Sequence, residues 1–453
     1  MASFNVQEFI DRQPVRSPHY AMLGICGIAM FIDGLDVFMV GKIAPAIAQG
    51  LGEERSAMGF VFLLQQIGLA IGAFVATPLA DRFGRKRMLI ISSLIFGVLT
   101  LATAFVTTLT QLAVLRGLAG LFLSGGLPMA VSLVAESTPR HRRGTFIAIS
   151  FACYSIGSTL GGGAIAAWLI DDFGWQSGFW VGGMLPLLSV PLMYFFLPES
   201  LQFTVSRNPH DPRIPAMLRR IDRNVVLDGS EDFVAGDGSN RADKARLTDI
   251  FRGGRARTTT LIWLACVCSM GTSALLAAWL PTFFEQMAGI PIQRFAVYAM
   301  IGFIGGLVGT LSMGWLMDKF RPSRIIPLFY FGLAATMIGL ATVPFGTPVF
   351  VGVMIAMSLF QVGGQTGLNT LMTQIYPASM RSTGIGWAGG AGRIGGIVLP
   401  LFGWWATSEH FSLELTMTLI ATMPLAVAAI ILMVRDKKAP PPVTGPAAAG
   451  AAA

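Results

Sequence analysis

Long apolar segments alternate with short polar loops along almost the whole chain. Each segment has about 20 or more predominantly apolar residues, which is the length that an α-helix needs to cross a bilayer. The segments are continuous rather than alternating with a period of two, so they predict helices and exclude a transmembrane β-barrel. Twelve spans are predicted, near residues 19–42, 57–79, 88–107, 110–134, 144–170, 178–197, 258–282, 293–316, 324–343, 347–372, 384–406 and 412–434.

One long polar stretch interrupts this pattern between the sixth and the seventh span. It carries charged residues with Pro and Gly between them, which is typical of a linker between two folded halves. The segment after the twelfth span is rich in Ala and Pro and is predicted to be disordered. The predicted organisation is an N-terminal segment, a six-helix bundle, a central linker, a second six-helix bundle and a tail, at residues 1–18, 19–197, 198–257, 258–434 and 435–453.

Composition and charge agree with a polytopic membrane protein. Hydrophobic residues make up 53% of the chain, charged residues only 12%, and the mean hydropathy is +0.65. A soluble protein has about 25% charged residues. The net charge of +8 does not indicate nucleic-acid binding, because the basic residues are concentrated in short loops on one predicted side. By the positive-inside rule, both termini and the linker are predicted to be cytoplasmic.

The two halves of the chain repeat each other. Asp81 and Asp318 follow the second and the eighth span and are 237 positions apart. Arg143 and Arg381 follow the fourth and the tenth span and are 238 positions apart. Two independent matches at nearly one offset indicate an internal duplication. Parallel halves with a substrate site between them are a known transporter design.

Two carboxylates lie inside the first apolar span. Asp33 and Asp36 are three residues apart, so on a helix they share a face and are predicted to look into one polar cavity. A carboxylate at membrane depth is costly and by default marks an ion, proton or substrate pathway. We expect Asp33, Asp36 and Glu136, near the inner end of the fourth span, to carry protons. For Glu136 the alternative is a role in the charge balance of the cytoplasmic loop.

Two arginines lie within predicted spans. Arg116 is in the fourth span, and Arg393 is in a glycine-rich part of the eleventh. Buried arginines face the interior of a bundle and have partners, and a guanidinium suits bidentate binding of a carboxylate. We expect both to bind an anionic substrate; the alternative is an Arg–Asp pair that only fixes helix packing. The other predicted substrate-site residues are Trp387, Gln365, Asn369 and Tyr154.

The loop after the second span carries the most specific motif. Residues 81–86 read Asp-Arg-Phe-Gly-Arg-Lys and resemble the loop 2–3 signature of the major facilitator superfamily, with Thr77 where that signature has Gly. The motif predicts a cytoplasmic gate that pairs in one transport state and releases in the other. Topogenic charge is the alternative, but it requires neither Asp nor Gly. The predicted gate residues are Asp81, Arg82, Gly84, Arg85, Lys86, Asp318 and Arg381.

Three segments resemble the aromatic acid:proton symporters within that superfamily. They are the Asp-Gly-Leu-Asp run at 33–36, the stretch 376–400 with its two arginines, and the fourth-helix positions of Arg116 and Glu136. Two residues depart from that pattern: Leu35, where members carry Tyr or Phe, and Lys42. A cation at the mouth of the first span either attracts an anion or snorkels to the interface, and snorkelling is the favoured interpretation.

The resemblance implies a twelve-helix transporter that imports a benzoate or hydroxybenzoate with protons. It also implies a monomer in the bacterial inner membrane that uses the proton gradient and needs no cofactor or metal. One alternative is a symporter or antiporter for another organic anion, a sugar or a drug. Another is a membrane receptor that binds aromatic acids without transporting them. An enzyme is least expected, because the sequence has no metal cluster, no nucleophile–base arrangement and no Walker motif.

Overall fold

The fold is given by a computed structural model, which describes residues 3–222, 225, 227, 231–234, 251, 255–375 and 381–434. Within these residues, twelve helices are long and apolar enough to cross a membrane. This confirms the predicted all-α fold with twelve membrane-spanning helices. The largest difference from the predicted bounds is in the first span, which is expected over 19–42 and runs from Ser17 to Leu51.

The N-terminal half contains the first six spans. Its fourth span is divided between two helices, and its fifth includes two π-helical turns, Gly157–Gly161 and Ile165–Leu169. Such turns are rare and are frequently found at functional sites. In chain order the elements are β1 (Ser3–Asn5), α1 (Val6–Arg12), α2 (Ser17–Leu51), α3 (Met58–Phe83), α4 (Arg85–Thr103), α5 (Leu109–Leu123), α6 (Gly126–Ser137), α7 (Arg140–Ile156), α8 (Gly162–Ala164), α9 (Ile170–Phe173) and α10 (Gln176–Phe196).

The remaining elements belong to the linker and to the C-terminal half. The described residues of the linker form two short helices and one strand, and the C-terminal half contributes the remaining six spans. The elements are α11 (Leu201–Arg207), α12 (Ile214–Ile221), β2 (Asp232–Val234), α13 (Ala256–Ala288), α14 (Ile292–Lys319), α15 (Pro322–Thr342), α16 (Pro348–Ile375), α17 (Arg381–Val398), α18 (Pro400–Ser408) and α19 (Leu413–Met433).

Equivalent helices pack in the same way in both halves. In the first half, α3 packs closely on α5, where a Cβ at Gly68 would overlap the backbone carbonyl of Gly117. In the second half, α14 packs closely on α16, where a Cβ at Gly305 would overlap the carbonyl of Ile355. Small residues let transmembrane helices approach closely. The second and fourth spans therefore pair as the eighth and tenth do, as an internal duplication predicts.

The start of the chain and the linker together form a small assembly on one side of the molecule, which we call the linker side. β1 pairs in parallel with β2, with Ser3 opposite Asp232. The Arg16 guanidinium donates to the Asp222 carboxylate at 2.9 Å. Apolar side chains from α1, α11, α12 and β2 form a common core, made of Val6, Ile10, Leu201, Val205, Ile214, Leu218 and Phe233. The predicted linker is thus partly folded, and it packs against the N-terminal segment.

The two halves contact each other on the side opposite the linker. Arg55, between α2 and α3, pairs with Glu285 near the end of α13. Gln293, at the start of α14, donates to Asp171 of α9 at 2.5 Å. Deeper in the membrane, Gly41 of α2 packs directly against the α13 backbone. These contacts close the space between the halves on that side.

Candidate functional site

Asp33 and Asp36 have different surroundings. Asp36 is fully buried, whereas Asp33 is 9% exposed. Asp33 lines a small cavity between α2, α4, α5, α6 and α10, together with Ser92, Ser93 and Gly126. Asp36 does not line this cavity. The prediction that both carboxylates look into one cavity is therefore met by Asp33 and not by Asp36, because a step of three residues also turns the side chain toward a different neighbouring helix.

Asp36 forms a buried ion pair with Arg116. The Arg116 Nη1 donates to Asp36 Oδ1 at 3.0 Å, and Nη2 donates to Oδ2, which makes the contact bidentate. Both side chains are fully buried, and the guanidinium also lies 5.8 Å from the centre of the Phe179 ring. In this structure Arg116 is therefore not presented to a substrate. The geometry matches the predicted alternative of a pair that fixes helix packing.

Removing one member of this pair should destabilise the protein strongly. Arg116→Met leaves the Asp36 carboxylate buried without a partner, which typically costs about 3–5 kcal/mol. The double variant Asp36→Asn, Arg116→Met removes both charges and should recover most of that loss. Thermal unfolding in detergent measures both effects. A double variant no more stable than Arg116→Met alone would contradict the interpretation.

Asp33 has no cationic partner within the described residues. Its carboxylate faces the start of α6, where a Cβ at Gly126 would lie 2.6 Å from Asp33 Oδ2. The backbone amide of Leu127 and the Asp36 carboxylate complete its polar surroundings. A charged carboxylate that lacks a cation is costly at membrane depth, and protonation removes that cost. Of the two aspartates, Asp33 is thus the one whose surroundings suit a proton carrier.

Gly34 brings Tyr154 next to the aspartates. A Cβ at Gly34 would overlap the backbone carbonyl of Tyr154, so α2 and α7 approach as closely as their backbones allow. The Tyr154 ring packs edge-on against Phe38, with ring centres 6.3 Å apart. Its hydroxyl lies within electrostatic range of both the Asp33 carboxylate and the Arg393 guanidinium. Tyr154 therefore lies near both a carboxylate of the first half and a cation of the second half.

Arg393 reaches from the second half toward the first. It lies in α17, and its Nη1 donates to the backbone carbonyl of Leu69 in α3 at 3.0 Å. A second contact nearby runs the other way, since Gln66 Nε2 donates to the carbonyl of Gly396 at 3.0 Å. Among the described residues no carboxylate pairs with Arg393. Within the described residues it donates to the neutral Leu69 carbonyl, so its positive charge suits an anion that enters between the halves.

A chain of polar side chains leads inward from Asn369. Gln365 Nε2 donates to Asn369 Oδ1 at 3.3 Å, and Ser269 Oγ donates to Gln365 Oε1 at 2.6 Å. The Ser269 hydroxyl also bonds the buried Tyr330 hydroxyl at 2.6 Å. Asn369 is exposed, so the chain ends at a surface. Gln365 and Asn369, both predicted to bind substrate, therefore belong to one network anchored inside the second half.

Trp387 lies on the same helix as Arg393 but has a different environment. Its ring stacks on Trp263 of α13, with the ring centres 6.2 Å apart and the planes inclined by 13°. The side chain remains 44% exposed. Its predicted role in substrate binding stays a prediction.

The structure places Glu136 with the gate loop rather than with Asp33. Its carboxylate accepts hydrogen bonds from Ser132, at 2.7 Å, and from Ser200, and pairs with Arg85 at 3.3 Å. Glu136 and the Asp33-facing end of α6 are separated by ten residues, which corresponds to about 15 Å of helix. The surroundings of Glu136 thus fit the alternative interpretation, in which it balances the charge of the loop on the linker side.

The turn between α3 and α4 explains part of the gate motif. Gly84 has φ +102°, and a Cβ there would collide with the Glu199 carboxylate. Glu199 Oε1 accepts the Lys86 backbone N–H at 3.0 Å, so it caps the start of α4. The Lys86 ammonium donates to the carbonyl of Tyr194 at 2.8 Å. Sequence reasoning missed Glu199, whose only signal is an acidic residue directly after the sixth span.

The remaining gate residues are described only in part. Arg82 is exposed, its guanidinium lies 5.4 Å from the centre of the Phe83 ring, and its carbonyl accepts a hydrogen bond from Arg207 of α11 at 3.1 Å. The side chains of Asp81, Asp318 and Arg381 lie outside the described part of the structure. The predicted pairing between the two halves at this gate therefore stays a prediction.

Lys42 does not snorkel to an interface, contrary to the favoured interpretation of the sequence. Its ammonium turns toward α7 and donates to the carbonyls of Ser158 and Thr159, the latter at 2.9 Å. These carbonyls belong to the first π-helical turn. A π turn shifts the backbone hydrogen-bond register, and this gives a side chain access to carbonyl oxygens. The sequence carried no sign of this turn.

Comparison with known proteins shows the family. Residues 26–400 match the Major Facilitator Superfamily. A gallate transporter of Pseudomonas putida is 34% identical, over 98% of this chain and 98% of its own. A 4-hydroxybenzoate transporter of Acinetobacter baylyi is 33% identical, over 96% of this chain and 95% of its own. The family and these relatives are transporters and not enzymes.

Solved structures show the same fold at low sequence identity. A bacterial homologue of the human lysosomal transporter Spinster, in an inward-facing conformation, superposes with a TM-score of 0.71 at 14% identity and covers 93% of this chain and 98% of its own. A D-xylose–proton symporter superposes with a TM-score of 0.68 at 15% identity, covering 92% and 97%. The fold, the internal duplication and the family match agree. The chain belongs to the major facilitator superfamily.

Proposed function

We propose that this protein is a proton-coupled importer of small aromatic carboxylates, of the benzoate and hydroxybenzoate type, that works by alternating access. The observation that carries the proposal is the arrangement of Asp33, Tyr154 and Arg393. In the described part of the chain, Asp33 has no cationic partner and Arg393 has no acidic partner, and Tyr154 lies near both. The named relatives support the substrate class, since gallate and 4-hydroxybenzoate each combine one carboxylate with a hydroxylated ring.

Arg393 is the proposed anchor for the substrate carboxylate. In this structure it donates to a neutral backbone carbonyl, that of Leu69. A carboxylate is a stronger acceptor than a carbonyl and accepts the guanidinium in a bidentate way. Substrate binding therefore exchanges a weak contact between the halves for a strong contact with the ligand. This exchange loosens the hold of α17 on α3.

Asp33 is the proposed proton carrier. With the carboxylate charged, the site holds a negative charge close to Tyr154, which disfavours the approach of an anionic substrate. Protonation of Asp33 removes this repulsion and leaves Arg393 to be neutralised by the substrate. A loaded site without net charge can then be enclosed, because no bare charge has to be dehydrated. Proton and substrate are thus moved together.

The contacts between the halves support an inward-facing state. The pairs Arg55–Glu285 and Gln293–Asp171 close the side opposite the linker. With the linker and both termini in the cytoplasm, as the basic loops predict, this closed side faces outward. The opposite state needs these contacts to break and the gate around residues 81–86 to form. In this proposal the protein works as a monomer in the bacterial inner membrane and uses no cofactor.

Gln365 and Asn369 are proposed to bind the ring hydroxyl of the substrate. Their amide groups offer both donors and acceptors, and a phenolic hydroxyl needs one of each. The bond from Ser269 holds the Gln365 side chain in place. Carboxylate recognition by Arg393 and hydroxyl recognition by Gln365 would then fix the two ends of one ring.

Gln365→Leu should therefore discriminate between hydroxylated and plain benzoates. A net hydrogen bond is worth about 1 kcal/mol, so the KM for 4-hydroxybenzoate should rise by about fivefold or more. The KM for benzoate should stay within about twofold, because benzoate has no hydroxyl to lose. The control is Thr366→Val on the same helix, whose hydroxyl donates within its own helix to the Val362 carbonyl. Equal losses for both substrates would contradict this role.

Uptake into proteoliposomes tests the proposed function directly. Labelled 4-hydroxybenzoate is offered with and without an imposed inward proton gradient, and gallate, benzoate and D-xylose are added as competitors. We expect accumulation only with the gradient, and competition by the two aromatic acids but not by the sugar. Absence of uptake under either condition, with folded and inserted protein, would remove the substrate class. A screen of other anions, sugars and drugs would then follow.

A further inference from the structure

Lys42 is a charge in the membrane that the proposed mechanism does not use. It lies in α2 next to Gly41, nine residues before the helix ends at Leu51, so about 14 Å of helix follows it. No carboxylate pairs with Lys42 in the part of the chain that the structure describes. Its two acceptors, the Ser158 and Thr159 carbonyls, are neutral. A positive charge without a paired carboxylate in the described residues therefore lies within a membrane-spanning helix, which by default indicates a pathway.

The ammonium still has binding capacity. A lysine ammonium carries three N–H donors, and the two carbonyls of the π-helical turn take two of them. The aliphatic part of the side chain packs along Gly162, where a Cβ would lie 3.4 Å from Lys42 Cδ. The carbonyls thus hold the ammonium in one place and leave it its charge and a third donor. This is the arrangement of a preformed site for an anion.

The neighbours of Lys42 show when this site opens. Gly41 packs on the backbone of α13, and Gly163, next to Gly162, packs on Met300 of α14. Both contacts belong to the surface where the two halves meet on the side opposite the linker. The second half therefore packs against residues on both sides of Lys42 in this structure. Separation of the halves on that side would uncover it.

We infer that Lys42 is an anion-binding site for the substrate carboxylate on the side opposite the linker, used while the transporter is open to that side. The inference rests on the proposed function and adds a loading site to it. An incoming carboxylate binds the third donor of Lys42 and then moves to Arg393, deeper in the membrane. Closure of the halves over Lys42 accompanies this transfer. The site takes carboxylates in general, and the ring is selected further inside.

Three substitutions separate the charge of Lys42 from its hydrogen bonds. Lys42→Gln keeps a donor for the π-turn carbonyls and loses the charge. Lys42→Arg keeps both, and Lys42→Met loses both. We expect Lys42→Gln to raise the KM for uptake from the side opposite the linker by about tenfold, the equivalent of about 1.4 kcal/mol. The KM for substrate presented on the linker side should stay within about twofold of wild type, and Lys42→Arg should resemble wild type in both directions.

Two outcomes of these measurements would overturn the inference. Unchanged KM values for Lys42→Gln, with losses only in Lys42→Met, would make Lys42 a structural donor to the π turn and overturn the inference. Equal KM increases from both sides would overturn it as well. A second measurement does not depend on transport: Lys42→Cys in proteoliposomes should react with a membrane-impermeant thiol reagent from the side opposite the linker only. If wild type transports no aromatic acid, the proposed function fails, and this labelling still decides whether the site opens to that side.

Discussion

Asp33→Asn is expected to abolish accumulation of substrate against its gradient and to preserve exchange of labelled for unlabelled substrate. The amide has nearly the shape of the protonated carboxyl group and fits the cavity beside Gly126. It holds the site permanently in the uncharged form, so substrate binds and crosses without a proton. A proton gradient of one pH unit then no longer drives the roughly tenfold accumulation that coupling to one proton permits. The ratio of internal to external substrate should fall to about one.

The control for this prediction is Asp172→Asn. It makes the same chemical change at an exposed position on the side opposite the linker, and it should leave accumulation unchanged. The measurement is gradient-driven uptake and counterflow exchange on the same liposome preparation. Full accumulation by Asp33→Asn would exclude Asp33 as the coupling residue. Loss of exchange as well as accumulation would show that Asp33 is needed for folding or for substrate binding.

The sequence predicted that the first span carries functional carboxylates, but not that they differ. Their spacing places Asp33 and Asp36 on one side of α2, and hydropathy alone locates both in the membrane. Which of them pairs with Arg116 depends on how α5 and α6 lie beside α2. This is tertiary information, because the two residues of the pair are 80 positions apart. The pairing leaves Asp33, and not Asp36, without a cation in the described residues.

The linker contains a helix whose amphipathic spacing is visible in the sequence but is masked by the linker's overall polar composition. Its charged residues and its Pro and Gly predict a simple connection. However, Ile214, Met217, Leu218 and Ile221 follow the spacing of an amphipathic helix, and the structure has α12 there. A helix as short as α12 cannot bury its apolar face by itself and needs a partner. Its partner is the N-terminal segment, which lies about 200 residues earlier in the chain and so could not be inferred from local pattern.

Arg393→Gln is expected to cause the largest loss of substrate affinity of any single substitution at the site. The substitution removes the proposed partner of the substrate carboxylate. Loss of one member of a buried, hydrogen-bonded charge pair costs about 2–5 kcal/mol, or about 30- to 4,000-fold in affinity. Arg393→Lys keeps the charge without the planar fork and should lie between wild type and Arg393→Gln. Equilibrium binding of 4-hydroxybenzoate to the purified protein measures the effect independently of transport.

The choice of ligand separates a role in binding from a role in holding the halves together. 4-Hydroxybenzamide has the same ring and hydroxyl but no charge, so its affinity should change by no more than about threefold in Arg393→Gln. If the contact of Arg393 with the Leu69 carbonyl mattered only for the position of α17, both ligands would lose affinity equally. Arg294→Gln, an exposed arginine on the side opposite the linker, is the matched control and should bind both ligands like wild type. A loss confined to the carboxylate would identify Arg393 as the group that makes this superfamily member select an acid.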